Sequence, residues 1–165
     1  MTAGNERLTP EAGALELSIM NAETESRSFQ DILVELLNKS VPAEIVTRLE
    51  ELWDVTKRVA GEVMRVGRII VLKIVDFVRA NPNLAAGMAI GAAVGALVGL
   101  VPWIGPLLQP IAMAIGAVTG AALGNRMDNN LSVGPLFEGA VVLARKFFEL
   151  LASIFNAVKE DWMKG

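Results

Sequence analysis

The sequence predicts an all-α chain: a membrane helical hairpin with two glycine zippers, flanked by long amphipathic helices. Three observations carry this. No ionisable side chain lies between Arg79 and Arg126, so 46 consecutive residues (80 to 125) are uncharged, enough for two crossings of a bilayer. Inside that block glycine recurs at every fourth position. On both sides of it apolar residues recur with helical spacing.

Composition narrows the chemistry. With 53% apolar and 20% charged residues in 165, the chain is too apolar to be disordered. His, Cys and Tyr are absent, which excludes histidine general bases, cysteine nucleophiles, disulfides and the usual zinc and haem ligand sets. A net charge of −3 argues against direct binding of nucleic acid, because phosphate contacts need a surplus of Lys and Arg. No phosphate-binding loop, nucleotide fingerprint or nucleophile elbow is present. The carboxylate pairs Glu50/Glu51 and Glu160/Asp161 fall on polar faces and read as solvated surface. No catalytic residue, cofactor or metal site is expected.

Residues 1–27 lean acidic through Glu6, Glu11, Glu16, Glu23 and Glu25, and have no apolar core of the length a secretory signal needs. With Gly4, Pro10 and Gly13 they read as a mobile arm, with a short helical patch around Ala14 to Met20.

Residues 28–80 are expected to form amphipathic, coiled-coil-like helices. Phe29, Ile32, Leu33, Leu36 and Leu37 share one helical face that ends near Ser40, and Pro42 suits the first turn of the next helix. Ile45, Leu49, Leu52, Thr56, Val59, Val63, Val66 and Ile70 then alternate spacings of four and three, the period of a coiled-coil seam. An ordinary amphipathic helix packed on its own chain fits the same spacing. Residues 65–80 are basic through Arg65, Arg68, Lys73 and Arg79, which suits a helix lying in a headgroup layer.

Residues 84–125 carry the hairpin, with its turn at 102–108. Gly87, Gly91, Gly95 and Gly99 mark one arm and Gly116, Gly120 and Gly124 the other, a small-xxx-small pattern that lets helix backbones approach closely in lipid. In water each such glycine costs roughly 1 kcal/mol of helix propensity relative to alanine, so the pattern calls for a compensating contact. The connecting PWIGPLLQP is a tight turn that places Trp103 at interface depth. Basic residues flank the hairpin, with Arg126 after it, and the turn has none, so both termini are expected in the cytoplasm. The same pattern also fits a buried hairpin of the kind that a pore-forming toxin holds before insertion. Residues 135–163 read as a last amphipathic helix, packed on residues 43–80 or laid on the membrane.

The stretch FVRANPNLAAGMAIGAAVGALVGL, Phe77 to Leu100, resembles the membrane anchor of the YqjD/ElaB proteins of enteric bacteria. The resemblance rests on Phe77, Val78, Arg79, Asn81, Pro82 and the glycine-spaced apolar helix from Gly87. It implies a helical cytoplasmic part, inner-membrane anchoring and, for some members, association with ribosomes. Only the anchor is carried over here, because the chain continues into a second zipper and a tail.

Two function classes follow. One is a non-enzymatic integral membrane protein that self-associates through the zippers and the 45-to-70 seam to scaffold, shape or tether a membrane. The other is an oligomeric pore-forming or permeabilising protein. A water-filled pore calls for polar residues along its lining helices, and Thr119 is the one such residue well inside either arm, which favours the scaffold.

Overall fold

A computed structural model describes residues 8–128 and 134–164, with side chains described over 8–116 and 136–164. Among these residues the chain is mostly helical. The elements are α1 (Pro10–Glu23), α2 (Phe29–Asn38), α3 (Ala43–Trp53), a β-hairpin of β1 (Lys57–Val59) and β2 (Glu62–Met64), α4 (Val66–Ala80), α5 (Ala86–Leu100), α6 (Gly105–Asp128), α7 (Gly134–Ala157) and α8 (Lys159–Lys164).

Residues 10–23, read from the sequence as part of a mobile arm with a short helical patch around Ala14 to Met20, are one helix. Thr9 caps it by accepting from the Ala12 N–H at 3.1 Å, and Pro10 occupies the first turn, where a missing N–H costs nothing. Gly13, Leu17 and Asn21, four residues apart, form its buried face, which packs mainly on α7. The expected α2 is present, capped by Ser28 on the Gln30 N–H at 3.1 Å.

The 45-to-70 seam is not one helix. Ile45, Leu49 and Leu52 are buried on α3, but α3 ends at Trp53 and the chain reverses through the β-hairpin, with Lys57 paired to Met64 and Val59 to Glu62. Val59 is buried and Val63 is 48% exposed, because neighbouring strand positions point to opposite faces. Val66, also buried, opens α4. The reversal depends on Ala60 and Gly61, whose φ of 54° and 77° build a tight hairpin turn that continuous helix cannot contain. The sequence spacing of 3.5 residues survives this break by coincidence.

At the other side of the reversal, Gly67 lies directly against the end of α3. Its N–H donates to the Val55 carbonyl at 3.0 Å, and a Cβ at Gly67 would stand 1.7 Å from the Leu52 carbonyl oxygen. Around this joint Phe29 meets Trp53 edge-on at 5.7 Å, and the Arg68 guanidinium lies over the Trp53 ring at 5.1 Å.

The core is organised on α5. Its most extensive partner is α7, followed by α4 and α6, while α6 also packs on α3. Phe77 of α4 and Phe148 and Phe155 of α7 are the largest fully buried side chains.

Candidate functional site

The charge-free segment folds as α5, a 3-10 turn at Pro102–Ile104, and α6. No single helix among the described residues is long and apolar enough to cross a membrane. Ala86–Leu100 and Pro102–Gly116 meet that test together, with a bend of 119° between them. The arms are therefore splayed rather than antiparallel. Pro110 lies inside α6, where it cannot donate to the Pro106 carbonyl.

Among the described residues, Gly87, Gly95, Gly99 and Gly116 have no neighbour pressed against them, so these glycines do not interlock. At 100° per residue, Ala86, Ile90, Ala93 and Leu97 centre one arc of α5 and Gly95 and Gly99 the opposite arc. The first arc is buried, while Gly95 and Gly99 are exposed and Gly87 half-buried. Ala89, Ala92, Ala93 and Ala96 have none of their surface in solvent. Alanine wins the inner position because its methyl group contributes apolar burial and still permits close helix approach, whereas glycine contributes none. Nothing would lie within 4 Å of a Cβ at Gly87, Gly95, Gly99 or Gly116. Gly91 is the exception: a Cβ there would meet Ile115 of α6 at 3.2 Å and Phe137 of α7 at 3.5 Å. The positions of Gly120, Gly124 and Arg126 fall where side chains lie outside the described residues.

The basic cluster before the hairpin is engaged within the chain. Arg65 donates from Nε to Thr24 Oγ1 at 3.2 Å and pairs with Glu25 at 3.7 Å, and Arg68 reaches the Thr24 carbonyl at 3.4 Å. Arg79 forms a two-pronged contact with Glu35, Nε to Oε2 at 2.8 Å, and also approaches Asp76 at 3.6 Å. The guanidinium bonded to Glu35 holds that carboxyl below its ordinary range, against the smaller opposing effect of burial, and Arg79 is raised by the same bond. Lys73 is half-buried on α4. Trp103 is half-buried as well: its indole N–H donates to Asn156 Oδ1 at 2.8 Å, Asn156 returns a bond to the Leu100 carbonyl at 3.2 Å, and Trp162 packs edge-on at 5.1 Å. These bonds clamp the hairpin turn to α7 and α8.

Sequence reasoning missed three close contacts. Asn21, 6% exposed, donates to the Val63 carbonyl at 3.2 Å and accepts from the Arg65 N–H at 2.7 Å, which ties α1 to the end of the β-hairpin. Among the described glycines, Gly13 and Gly67 stand closest to neighbouring elements, and not Gly87, Gly91, Gly95, Gly99 or Gly116. The signals available were an isolated glycine in each of two apolar helical runs and Thr9-Pro10 as a helix start. An open cleft of about 500 Å³ between α3 and α6 has Glu44 and Arg48 as its charged lining, with Arg48 turned to Glu51 at 2.9 Å. No cluster of three potential metal ligands occurs among the described residues.

Compared with protein-family models, curated proteins and solved structures, the chain matches none.

Proposed function

We propose that this chain is a non-enzymatic membrane protein whose α5–α6 hairpin enters a lipid bilayer and which self-associates there to scaffold, shape or tether the membrane. The observation that carries the reading is the uncharged pair Ala86–Leu100 and Pro102–Gly116, which has the length and hydropathy of a span only when its two helices are taken together. Alone, the 15 residues of α5 extend roughly 22 Å, short of a hydrocarbon core of about 30 Å. The bare surface at Gly95 and Gly99 of α5 supports self-association in lipid, where small residues let helices pack closely. The likeness of residues 77–100 to YqjD/ElaB anchors and the basic flanks are in keeping with an inner-membrane location with both termini cytoplasmic. Alkaline carbonate washing tests the reading. The protein is expected to stay in the membrane pellet, and release into the supernatant contradicts insertion.

A second reading is favoured by the burial of α5. Ala89, Ile90, Ala92, Ala93, Ala96 and Leu97 are sealed from solvent by the surrounding helices, as a permeabilising protein would hold its hairpin before insertion. Leakage of an entrapped dye from vesicles separates the two. Release of the dye favours the pore, and binding without release favours the scaffold.

A further inference from the structure

Helix α7 carries a second apolar ridge beside the one it buries. Leu136, Leu143, Phe147 and Leu150 follow one another at spacings of seven, four and three, and are 60%, 49%, 38% and 62% exposed. Further along, Ile154 continues the ridge but is 1% exposed. There α1 covers it, with Gly13 so close that a Cβ would stand 2.6 Å from the Ala157 Cβ and 3.3 Å from the Ile154 carbonyl oxygen. The ridge is thus capped over its last turns and exposed over its first ones, where Phe147 also rests edge-on against Phe77 at 5.4 Å.

The bare part starts at the end of α7 that meets the uncharged helices. Phe137, at the head of α7, reaches Gly91 of α5, where Ile115 of α6 also arrives. On α5 Gly95 and Gly99 face outward. By helical geometry Lys146 is the charged residue of α7 nearest the ridge, while Glu138, Arg145 and Glu149 lie toward the other side.

We infer that this face of α7 is where the folded chain docks on an anionic bilayer before its hairpin enters. The inference rests on the membrane reading above. The four side chains stand in single file along one helix, a narrow strip rather than the patch of roughly 800 Å² that each side of a stable protein interface buries, so a protein partner is poorly served. A bilayer asks for no matching shape. It accepts a bare apolar ridge into the acyl boundary, and a lysine at the rim meets its anionic headgroups.

The test compares vesicles of phosphatidylcholine alone with vesicles that also contain phosphatidylglycerol, using the full chain, L143E/L150E, K146E and, as a control for added charge, V34E/L37E on α2. Val34 and Leu37 are 58% and 51% exposed, so all these variants change surface positions and are checked for unchanged circular dichroism. The inference expects L143E/L150E to lose about tenfold or more in affinity for the anionic vesicles. K146E loses the preference for anionic over neutral vesicles, and V34E/L37E binds like the parent. Equal binding by the parent and L143E/L150E overturns the docking face and leaves the membrane reading standing. Absence of binding by the parent overturns both. A dimer in the parent that L143E/L150E abolishes, with vesicle binding unchanged, assigns the face to a second copy and overturns the inference.

Discussion

Gly67 rests on the carbonyl of Leu52 with no room for a side chain between them: a Cβ there would lie 1.7 Å from that oxygen and 3.1 Å from the Val55 nitrogen. The two residues join α3 to α4 across the β-hairpin, and both contacting groups are backbone, which cannot move aside as a flexible side chain can. Gly67→Ala is therefore expected to destabilise the fold by about 3 kcal/mol or more, since the overlap must be relieved by shifting a whole helix. Gly95→Ala, on the open face of α5, is expected to stabilise it by about 1 kcal/mol through helix propensity. Denaturant unfolding of the two variants checks this. Similar midpoints for both contradict the joint.

Asn21 holds two backbone groups of the β2–α4 connection at once, one as donor and one as acceptor. Asn21→Ala leaves both without their partner in a nearly buried place and is expected to cost about 1–3 kcal/mol. Asn21→Asp keeps the acceptor toward the Arg65 N–H but sets a carboxylate oxygen against the Val63 carbonyl, so its loss falls below that of alanine only if the retained Arg65 bond outweighs that repulsion. Thermal unfolding of the pair reads the order directly.

Glu35 and Arg79 give a pH dependence of known sign. The folded carboxyl titrates below its ordinary value of 4.5 because Arg79 donates to it. Its contribution is fully present above that ordinary value and disappears as pH falls through the lowered folded value. With Glu35 and Arg79 side chains 23% and 43% exposed, the pair contributes less than about 1 kcal/mol. The Tm difference between the parent and Glu35→Gln should be small and constant at neutral pH and should vanish in acid. A difference that grows on acidification contradicts this assignment.

The helices were legible where punctuation and periodicity agreed. Ser28 and Ser40 bracket α2, Pro42 precedes α3, and the break at Asn81–Pro82 separates α4 from α5. The β-hairpin was not legible, because its strands have three residues each and its turn is Ala60-Gly61 rather than a strong Asn-Gly or Asp-Gly signal. Val59 and Val63 stand four apart, which is also a helical spacing. Of α1 only the patch around Ala14 to Met20 was legible, because its apolar pattern is too weak to suggest a face, although its Thr9-Pro10 start was in plain view. The outward turn of Gly95 and Gly99 could not be read from the glycine spacing, since the choice between a glycine face and an alanine face depends on which partners α4, α6 and α7 bring.

Insertion of the α5–α6 hairpin is tested most directly by a single probe at Gly95. The position is exposed, a Cβ there meets nothing within 4 Å, and the chain contains no cysteine, so Gly95→Cys takes one polarity-independent fluorophore without crowding the core. In the folded bundle the probe is open to an aqueous quencher. After anionic vesicles are added, the account predicts that it becomes shielded from iodide and is quenched by lipids that carry a nitroxide on the acyl chain. A vesicle-bound protein whose probe stays open to iodide and is untouched by the acyl-chain quencher contradicts insertion.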